Sequence, residues 1–359
     1  MNKKTVCIID LIGSYAGMDY YDISLAKELL DKGAYVKILS TFNVGLEREF
    51  LPVMYNNNKL AAIAIMFYNY FKLLFYILFH RKYSYIYMTF GEITDFLFLT
   101  LPIISRHYYV DIHELYAAKY LENRRIKVIF NFYYKYVINN VVYHSDKTLN
   151  LLNNLGYNGR KLFVPHFKYV INHQYDDKNL GDDIVDKLSL TKTKLLFFGN
   201  LRIVKGIDIV KNCFINNNGD NVQLIIAGKN VENIDLDELR VKHCIIDRHI
   251  NDDELKYLFY HSDFVLMPYR DSSQSGILEM AFSFRKPVIL SNIPYFSLVK
   301  LRFPSIGEIS DLNGYDLLID KIIKGEFKQK KYYNNDDVNR FLMRKEINRF
   351  VNDFLSLMD

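Results

Sequence analysis

Short apolar runs alternate with stretches of helical periodicity along most of this chain, and such alternation is typical of parallel α/β sheets. The apolar runs predict strands in the first half at residues 6–10, 35–40, 83–89, 107–111, 141–144 and 162–165. They predict strands in the second half at residues 194–198, 222–227, 244–246, 264–267 and 287–290. Helical spacing predicts helices at residues 22–32, 207–214, 252–261, 276–284 and 337–358. The sequence therefore predicts an α/β protein built from two Rossmann-like halves.

A polar stretch separates the two halves. Residues 172–183 are charged and weakly periodic, which is typical of a linker or a surface excursion between domains. A chain of 359 residues also suits two domains of ordinary size. We therefore predict a first domain at residues 1–168, a linker at 169–193, a second domain at 194–335 and a C-terminal amphipathic helix at 336–359.

Residues 60–79 are almost entirely apolar or aromatic and are interrupted mainly by Asn69 and Lys72. The stretch is long enough to cross a bilayer as a helix. However, Lys72 near its middle is costly in a membrane, and the small residues suit a buried or interfacial helix. Three interpretations stay open from the sequence: a buried helix, an interfacial helix and a spanning helix.

Composition narrows the class of protein. The formal net charge is +5, which is too mild to argue for nucleic-acid binding. Cys7, Cys213 and Cys244 lie far apart without metal-ligand spacing or a disulfide framework, which indicates a reducing, cytoplasmic compartment. Residues 1–10 predict a first strand rather than a signal peptide, because the apolar run before Asp10 is short.

The most informative segment is the loop that precedes the predicted helix at residues 276–284. Asp271 and Glu279 bracket a run of small and polar residues that ends at Ser275-Gly276. A loop feeding a helix start directs backbone N–H groups outward, so the segment from Gln274 to Ile277 predicts an anion site. A carboxylate at Glu279 suits sugar hydroxyls better than a phosphate. A small-residue turn with a solvated glutamate is the alternative.

A second candidate loop follows the strand at residues 194–198. Gly199 ends the strand, and the loop brings Arg202 and Lys205 to the start of the next helix. Two cations at a strand end can hold a diphosphate, with lysine as a point charge and arginine as a bidentate fork. Two solvated side chains in an ordinary loop are the alternative. The loop lacks the Gly-x-x-x-x-Gly-Lys-Ser/Thr pattern, which disfavours a P-loop NTPase.

Three weaker candidates lie in the first half. His113 follows a strand, where a histidine serves either as a structural hydrogen bonder or at a site. Gly17 lies in the loop after the first strand, where glycine permits a turn or a close backbone approach to a ligand. His166 follows Pro165 at the domain junction. A Gly-x-Gly-x-x-Gly motif does not follow the first strand, which disfavours a Rossmann dehydrogenase.

These segments, in this order, resemble the retaining glycosyltransferases of the GT-B fold, and more narrowly the bacterial "glycosyl transferase group 1" family. The family's Glu-x7-Glu pair matches Asp271 and Glu279, with aspartate in place of the first glutamate. Its Gly-Arg-Leu-x-x-x-Lys-Gly loop matches at Gly199 and Lys205, while the family's arginine position is Asn200 here and Arg202 lies two residues later.

The resemblance implies two Rossmann-like domains with parallel sheets that face each other across a cleft, and a C-terminal helix that returns to the first domain. It assigns diphosphate binding to Lys205 and Arg202, ribose binding to Glu279, and contacts near the donor sugar to Asp271 and His113. It assigns Gly17 and His166 to the acceptor side of the cleft. The first domain would bind the acceptor and the second the donor.

The activity that the resemblance implies is transfer of a sugar, with retention, from a nucleoside diphosphate sugar to a glycan or lipid-linked acceptor. Such enzymes need no metal and no cofactor beyond the donor. Residues 60–82 and 124–135 combine cations with apolar bulk, which fits peripheral contact with the inner membrane face during synthesis of a bacterial surface polysaccharide, such as O-antigen or capsule. The alternatives are an inactive GT-B scaffold that acts as a binding partner, and an inverting GT-B enzyme.

Overall fold

The computed structural model describes residues 4–11, 18–41, 48–52, 58–117, 120, 122–165, 169, 171–188, 192–215, 219–272, 274–327, 330–341 and 344–358. The contacts between residues divide the chain into two compact units. Unit 1 comprises residues 1–170 and 343–359, and unit 2 comprises residues 171–342. Both units consist of a parallel sheet covered by helices, which confirms the predicted α/β class.

The strands in chain order are β1 (Thr5–Asp10), β2 (Tyr35–Ser40), β3 (Arg48–Phe50), β4 (Ser84–Thr89), β5 (Tyr108–Ile112), β6 (Asn140–Tyr143), β7 (Arg160–Phe163), β8 (Thr193–Phe198), β9 (Val222–Ala227), β10 (Lys242–Ile246), β11 (Phe264–Met267), β12 (Val288–Ser291) and β13 (Gly307–Ser310). The α-helices are α1 (Met18–Asp31), α2 (Lys59–Phe79), α3 (Asp95–Phe98), α4 (Arg124–Tyr136), α5 (Asp146–Asn154), α6 (Asp182–Val185), α7 (Ile207–Ile215), α8 (Asp252–His261), α9 (Gly276–Ser283), α10 (Pro294–Arg302), α11 (Tyr315–Ile323), α12 (Asn335–Phe341) and α13 (Arg344–Ser356).

The described part of unit 1 contains a seven-stranded sheet in the order β3-β2-β1-β4-β5-β6-β7, with every pair parallel. One apolar core combines strand residues such as Tyr85 and Val110 with Leu73 of α2 and Phe130 of α4. The helices α2 and α4 therefore cover the same face of the sheet. Their inner residues are apolar because both faces of a parallel sheet are shielded from water.

The C-terminal helix α13 belongs to unit 1, as the fold prediction required. Phe354 packs against Tyr109 of β5, with ring centroids 4.8 Å apart. Lys4 Nζ donates a hydrogen bond to the carbonyl oxygen of Leu355 over 2.7 Å. The segment predicted as one helix at 337–358 contains two helices, α12 and α13, of which the first falls in unit 2.

Within unit 2, the strands that the structure describes form a six-stranded parallel sheet in the order β10-β9-β8-β11-β12-β13. Its core joins strand residues to Phe214 of α7 and Ile319 of α11. Tyr315, at the start of α11, donates a hydrogen bond to the carbonyl oxygen of Ile289 over 2.7 Å. The side-chain hydroxyl thus attaches the helix to β12.

Residues 171–188, part of the segment predicted as a linker, pack on unit 2. The guanidinium of Arg248 bridges Asp183, in this segment, and Glu254 of α8, each at 2.7 Å. The backbone N–H of Gly181 also donates to Glu254 Oε1 over 3.2 Å. A buried glutamate with these partners holds the segment against the sheet, because an unpaired buried carboxylate would be costly.

The helix α2 is largely exposed, so the interpretation of residues 60–79 as a buried helix is wrong. Only Asn69, Leu73 and Ile77 are fully buried among its residues. Among the described residues it is the one helix that is long and apolar enough to cross a membrane. An 18-residue stretch of it has a mean hydropathy of 1.7, and 17% of that stretch is buried. These properties describe the length and composition of the helix alone.

Candidate functional site

Two loops of unit 2 start side by side at the carboxyl edge of its sheet. The first follows β8 and runs from Gly199 to Gly206, and the second follows β11 and runs from Pro268 to Ser275. Because β8 and β11 are neighbouring parallel strands, both loops leave the sheet at the same edge. Ligands of doubly wound sheets bind at this edge.

Gly199, Lys205 and Ile277 lie together at the junction of these loops. A Cβ atom added at Gly199 would lie 3.0 Å from Lys205 Nζ and 3.6 Å from Ile277 Cδ1. Gly199 also has a φ angle of +102°, which side chains rarely adopt. The absence of a side chain therefore leaves room for the ammonium group beside the first turn of α9.

The lysine loop is held against the second loop by Arg270. Its backbone N–H donates to the carbonyl oxygen of Val204 over 2.8 Å, and its guanidinium forms two hydrogen bonds, of 2.7 and 2.6 Å, to the carboxylate of Asp208. A third hydrogen bond reaches the carbonyl oxygen of Ile203. Arg270 was not predicted from the sequence, because Arg270 and Asp208 are 62 residues apart and belong to no local motif.

Gly206 completes the loop junction. Its φ angle is +75°, and a Cβ atom there would lie 2.0 Å from the carbonyl oxygen of Pro268. Such a distance is far shorter than any van der Waals contact, so another residue would push the two loops apart. Backbone geometry thus requires a glycine at position 206, directly after the Lys205 cation.

Burial, followed by repulsion from Arg202, lowers the pKa of Lys205 to about 8. The lysine Nζ also lies 5.9 Å from the ring centroid of Tyr269. Burial raises the pKa of Tyr269, and a hydrogen bond with Ser275 partly offsets that rise. A partly desolvated ammonium beside a helix start is a strong attractor for an anion, because little water competes for it.

The start of α9 carries the next two candidate residues. Ser275 caps the helix, and its hydroxyl oxygen accepts a hydrogen bond from the N–H of Leu278 over 3.3 Å. One turn later, Glu279 is 4% exposed. The carboxylate of Glu279 contributes to raising the pKa values of Tyr295 and Tyr333, after the larger effect of burial on each. Glu279 is therefore a buried carboxylate within electrostatic range of two tyrosine side chains.

The remaining candidates of unit 2 lie closer to solvent. Asp271 is exposed, and Arg202 is exposed at the start of the turn that carries Lys205. Gln274 is half-buried, and its carbonyl oxygen accepts a hydrogen bond from the hydroxyl of Ser272 over 2.7 Å. The structure thus joins Gly199, Lys205 and the first turn of α9 into one group, with Asp271 and Arg202 outside its buried part.

In unit 1, His113 lies in a buried cluster at the carboxyl edge of the sheet. Asp111 Oδ2 accepts a hydrogen bond from the hydroxyl of Tyr21 over 2.8 Å, and Asp111 Oδ1 lies 2.7 Å from His144 Nε2. His113 Nε2 is 3.9 Å from the same carboxylate oxygen, and the His113 ring stacks on Phe90 with centroids 5.1 Å apart. Sequence reasoning missed Tyr21 and His144, whose partners are distant in the chain.

The surroundings of this cluster are acidic. Burial raises the pKa of Asp22, and the nearby carboxyl of Asp10 raises it further. Burial and the Asp111 carboxylate likewise raise the pKa of Tyr21. Gly17 and His166, the other candidates of the first half, lie outside the described residues.

Asp111, His113 and His144 form the one group of potential metal ligands among the described residues, with ligand atoms within 4.8 Å of one another. The short contacts of Asp111 to His144 and Tyr21 have hydrogen-bond lengths. His144 Nδ1 lies 3.0 Å from the carbonyl oxygen of Val164. Both ring nitrogens of His144 thus lie at hydrogen-bond distance from oxygen atoms. These contacts form a hydrogen-bonded network centred on Asp111.

Comparison with known proteins concerns the fold. No family model and no curated protein matches the sequence. Among solved structures, the sucrose-phosphate synthase of Thermosynechococcus elongatus has a TM-score of 0.71 at 14% identity, with 99% of each chain covered. HepE of Anabaena, in complex with UDP-glucose, has a TM-score of 0.66 at 13% identity, with 99% of each chain covered.

A third neighbour, WaaG, is a glycosyltransferase involved in lipopolysaccharide biosynthesis. It has a TM-score of 0.61 at 12% identity and covers 97% of this chain and 95% of its own. The similarity extends over nearly the full length of every chain compared, and at these identities it defines the architecture. The chain has the GT-B fold of these proteins.

Proposed function

We propose that the protein is a glycosyltransferase that transfers a sugar, with retention of configuration, from a nucleoside diphosphate sugar. The observation that carries this proposal is Lys205, a partly desolvated cation held over Gly199 and beside the first turn of α9. The site offers an ammonium group, a helix N-terminus and a nearby buried carboxylate within one loop junction. A diphosphate linked to a ribose and a sugar needs this combination of groups.

The fold neighbours support the class of donor and suggest the biological setting. HepE has been solved with UDP-glucose, and WaaG acts in lipopolysaccharide biosynthesis. By this likeness, we propose a glycan or lipid-linked acceptor in the synthesis of a bacterial surface polysaccharide, such as O-antigen or capsule. The enzyme would act in the cytoplasm, at the inner face of the membrane where such acceptors are carried.

The chemistry requires charge stabilisation on the departing diphosphate. The bond between the anomeric carbon and the diphosphate oxygen breaks, and its electron pair leaves with the diphosphate. Lys205, Arg202 and the N–H groups of residues 274–277 would stabilise that charge. The acceptor hydroxyl oxygen bonds to the anomeric carbon on the same face, and its proton passes to the departing diphosphate. No carboxylate nucleophile is assigned.

The remaining residues would position the donor. Glu279, which is buried at the first turn of α9, would accept hydrogen bonds from the ribose hydroxyls. Asp271 and His113 would contact the donor sugar, and Gly17 and His166 would line the acceptor side. The proposed reaction needs no metal, since the cations and helix N–H groups supply the positive charge.

Calorimetric titration of the full chain against a panel of UDP- and GDP-sugars tests the donor class. We expect one of them to bind, and we expect Lys205→Ala to weaken binding strongly. Lys324→Ala is a matched control, because Lys324 lies in the same unit with an exposed ammonium and follows α11, which ends near the opposite edge of the sheet. A folded protein that binds no sugar nucleotide would contradict the proposal and favour an inactive scaffold.

The stereochemical part needs a separate experiment. A screen with the donor found by titration and a pool of lipid-linked acceptors would yield the product, and NMR coupling constants would report its anomeric configuration. We expect the configuration of the donor to be retained, and turnover to be unchanged by EDTA. An inverted linkage would refute the retaining mechanism while leaving the donor assignment intact.

A further inference from the structure

The outer face of α2 is a continuous apolar surface. Its exposed large apolar residues recur mostly at every fourth position and range from 45% exposed for Phe67 to 82% for Phe79. They are Leu60, Ile63, Phe67, Tyr68, Phe71, Phe75 and Phe79. Residues four apart are neighbours one turn along a helix, so these side chains form one ridge, inclined to the helix axis and about 25 Å long at 1.5 Å per residue. Soluble monomers rarely expose an apolar patch of this size without a partner for it.

The inner face of α2 holds the helix on unit 1. Leu73 and Ile77 are buried in the core of that unit. Asn69 donates a hydrogen bond to the carbonyl oxygen of Pro52 over 2.9 Å, and the hydroxyls of Tyr70 and Thr100 are 3.1 Å apart. A helix that crossed a membrane would have to give up these contacts. The row of exposed aromatic residues is therefore presented by a docked helix.

The neighbouring helix α4 extends the same surface. Phe130 and Tyr134 are buried, while Val128, Phe132 and Tyr136 on the outer side are 55–68% exposed. The short helix α3 contacts both, since Phe98 lies 6.1 Å from Tyr70 of α2 and Phe96 lies 4.4 Å from Phe130 of α4, measured between ring centroids. The two exposed rows therefore cover one side of unit 1.

The two helices of this surface carry positive charge only, and Glu122 is an acidic residue just before α4. The helices α2 and α4 contain six cationic residues and no acidic residue: Lys59, Lys72, Arg124, Arg125, Lys127 and Lys135. His80-Arg81-Lys82 follows α2 directly. The cations lie mainly at the helix ends, so the apolar rows are flanked by charge. Aromatic rings flanked by lysine and arginine are the composition of segments that bind at the headgroup level of a membrane.

We propose that the outer faces of α2 and α4 form a docking surface for a membrane rich in anionic lipids. Phenylalanine and tyrosine side chains enter the headgroup region, and the flanking cations pair with lipid phosphates. A second copy of the chain is a poorer occupant, because a symmetric contact would bring two cationic surfaces together without any acid from these helices. The inference deepens the proposed function by giving the lipid-linked acceptor a surface, but it does not depend on the donor site.

Co-sedimentation of the full chain with lipid vesicles tests this surface. We expect binding to phosphatidylcholine vesicles that contain about one-third phosphatidylglycerol, and much weaker binding to pure phosphatidylcholine. The double variant Phe71→Ser/Phe75→Ser should bind about tenfold more weakly, since two partly inserted rings are lost. The triple variant Arg124→Gln/Arg125→Gln/Lys127→Gln should lose the preference for anionic vesicles.

The matched control is Leu298→Ser/Leu301→Ser, which removes two apolar side chains of unit 2 that are 52% and 77% exposed. It should bind vesicles as the unaltered chain does, and circular dichroism should show all variants folded. No binding to anionic vesicles, or equal losses in both double variants, would overturn the proposal. Self-association of the unaltered chain in sedimentation velocity would also overturn it, if Phe71→Ser/Phe75→Ser abolishes that self-association and the chain does not bind vesicles. Vesicle binding in a protein that binds no sugar nucleotide would retain this inference and remove the proposed function.

Discussion

Lys205→Met tests the assignment of Lys205 as the cation that holds the donor diphosphate. The substitution keeps a long flexible side chain in the space beside Gly199 but removes the charge. A hydrogen bond to a charged group contributes about 1.5–3 kcal/mol, so the dissociation constant of the donor should rise by about 10- to 100-fold. Because the ammonium is already partly desolvated, its removal should leave the fold at least as stable.

The pH dependence gives a sharper form of the same test. Burial beside Arg202 lowers the pKa of Lys205 to about 8 from an ordinary value of 10.5. At that pKa about nine-tenths of the side chain is charged at pH 7 and about one-tenth at pH 9, so donor affinity should fall by about tenfold across this interval. Stability should change in the opposite direction, because the unfolded chain binds the extra proton between about pH 8 and 10.5 and unfolding is disfavoured as pH rises.

Titration calorimetry with the nucleoside diphosphate at pH 7, 8 and 9 measures the effect on affinity, and urea unfolding at the same pH values measures the effect on stability. Lys205→Met corrects for ionisation of the ligand and of other groups, because its affinity should depend on pH only through them. The quantity to compare is the ratio of the two dissociation constants at each pH. A ratio that stays constant from pH 7 to pH 9 would refute the idea that the Lys205 ammonium contacts the diphosphate.

Four further substitutions test the loop junction around Lys205 and the role of Glu279. Gly206→Ala should lower the free energy of unfolding in urea by about 2–4 kcal/mol, since φ is +75° and the new Cβ would meet the carbonyl oxygen of Pro268; unchanged stability would contradict the loop contact. Arg270→Ala and Asp208→Asn should each raise the donor KM by about tenfold with kcat retained. A double-mutant cycle should show strong coupling between the two substitutions, and additive effects on KM would contradict a positioning role for the pair. Glu279→Gln should bind donor about tenfold more weakly and lose discrimination against a dideoxyribose analogue; preserved discrimination would place the ribose elsewhere.

Two of the four edge strands, β3 and β13, were not predicted from the sequence, whereas the edge strands β7 and β10 were predicted in part. Runs of apolar residues predicted β1, β4, β8 and β11, which lie inside the two sheets and are shielded on both faces. The strands β3, with the sequence Arg-Glu-Phe, and β13, with the sequence Gly-Glu-Ile-Ser, are short and polar. Both occupy sheet edges, where one side of the strand is solvated and hydrophobicity no longer marks it.

The candidate site divides in the same way between local and distant relations. Ser275 and Glu279 are four residues apart on one helix, so their relation follows from helical periodicity. The proximity of Lys205 to Ile277 was expected only in outline, from two loops at the same sheet edge. The attachment of those loops through Arg270 depends on which strands are neighbours, which no local pattern encodes.

The helix α2 shows how burial and composition separate. Its hydrophobicity is high on both sides, so periodicity alone could not decide between a core helix and a surface helix. The side that carries Leu73 and Ile77 meets the sheet core, whereas Phe71 and Phe75 on the other side are 50% and 55% exposed. Folding removes only the first side from water, so the apolar character of the second is not required by the fold of unit 1. The proposed docking of α2 and α4 on an anionic membrane surface would give this side a second apolar environment, flanked by the cations at the helix ends.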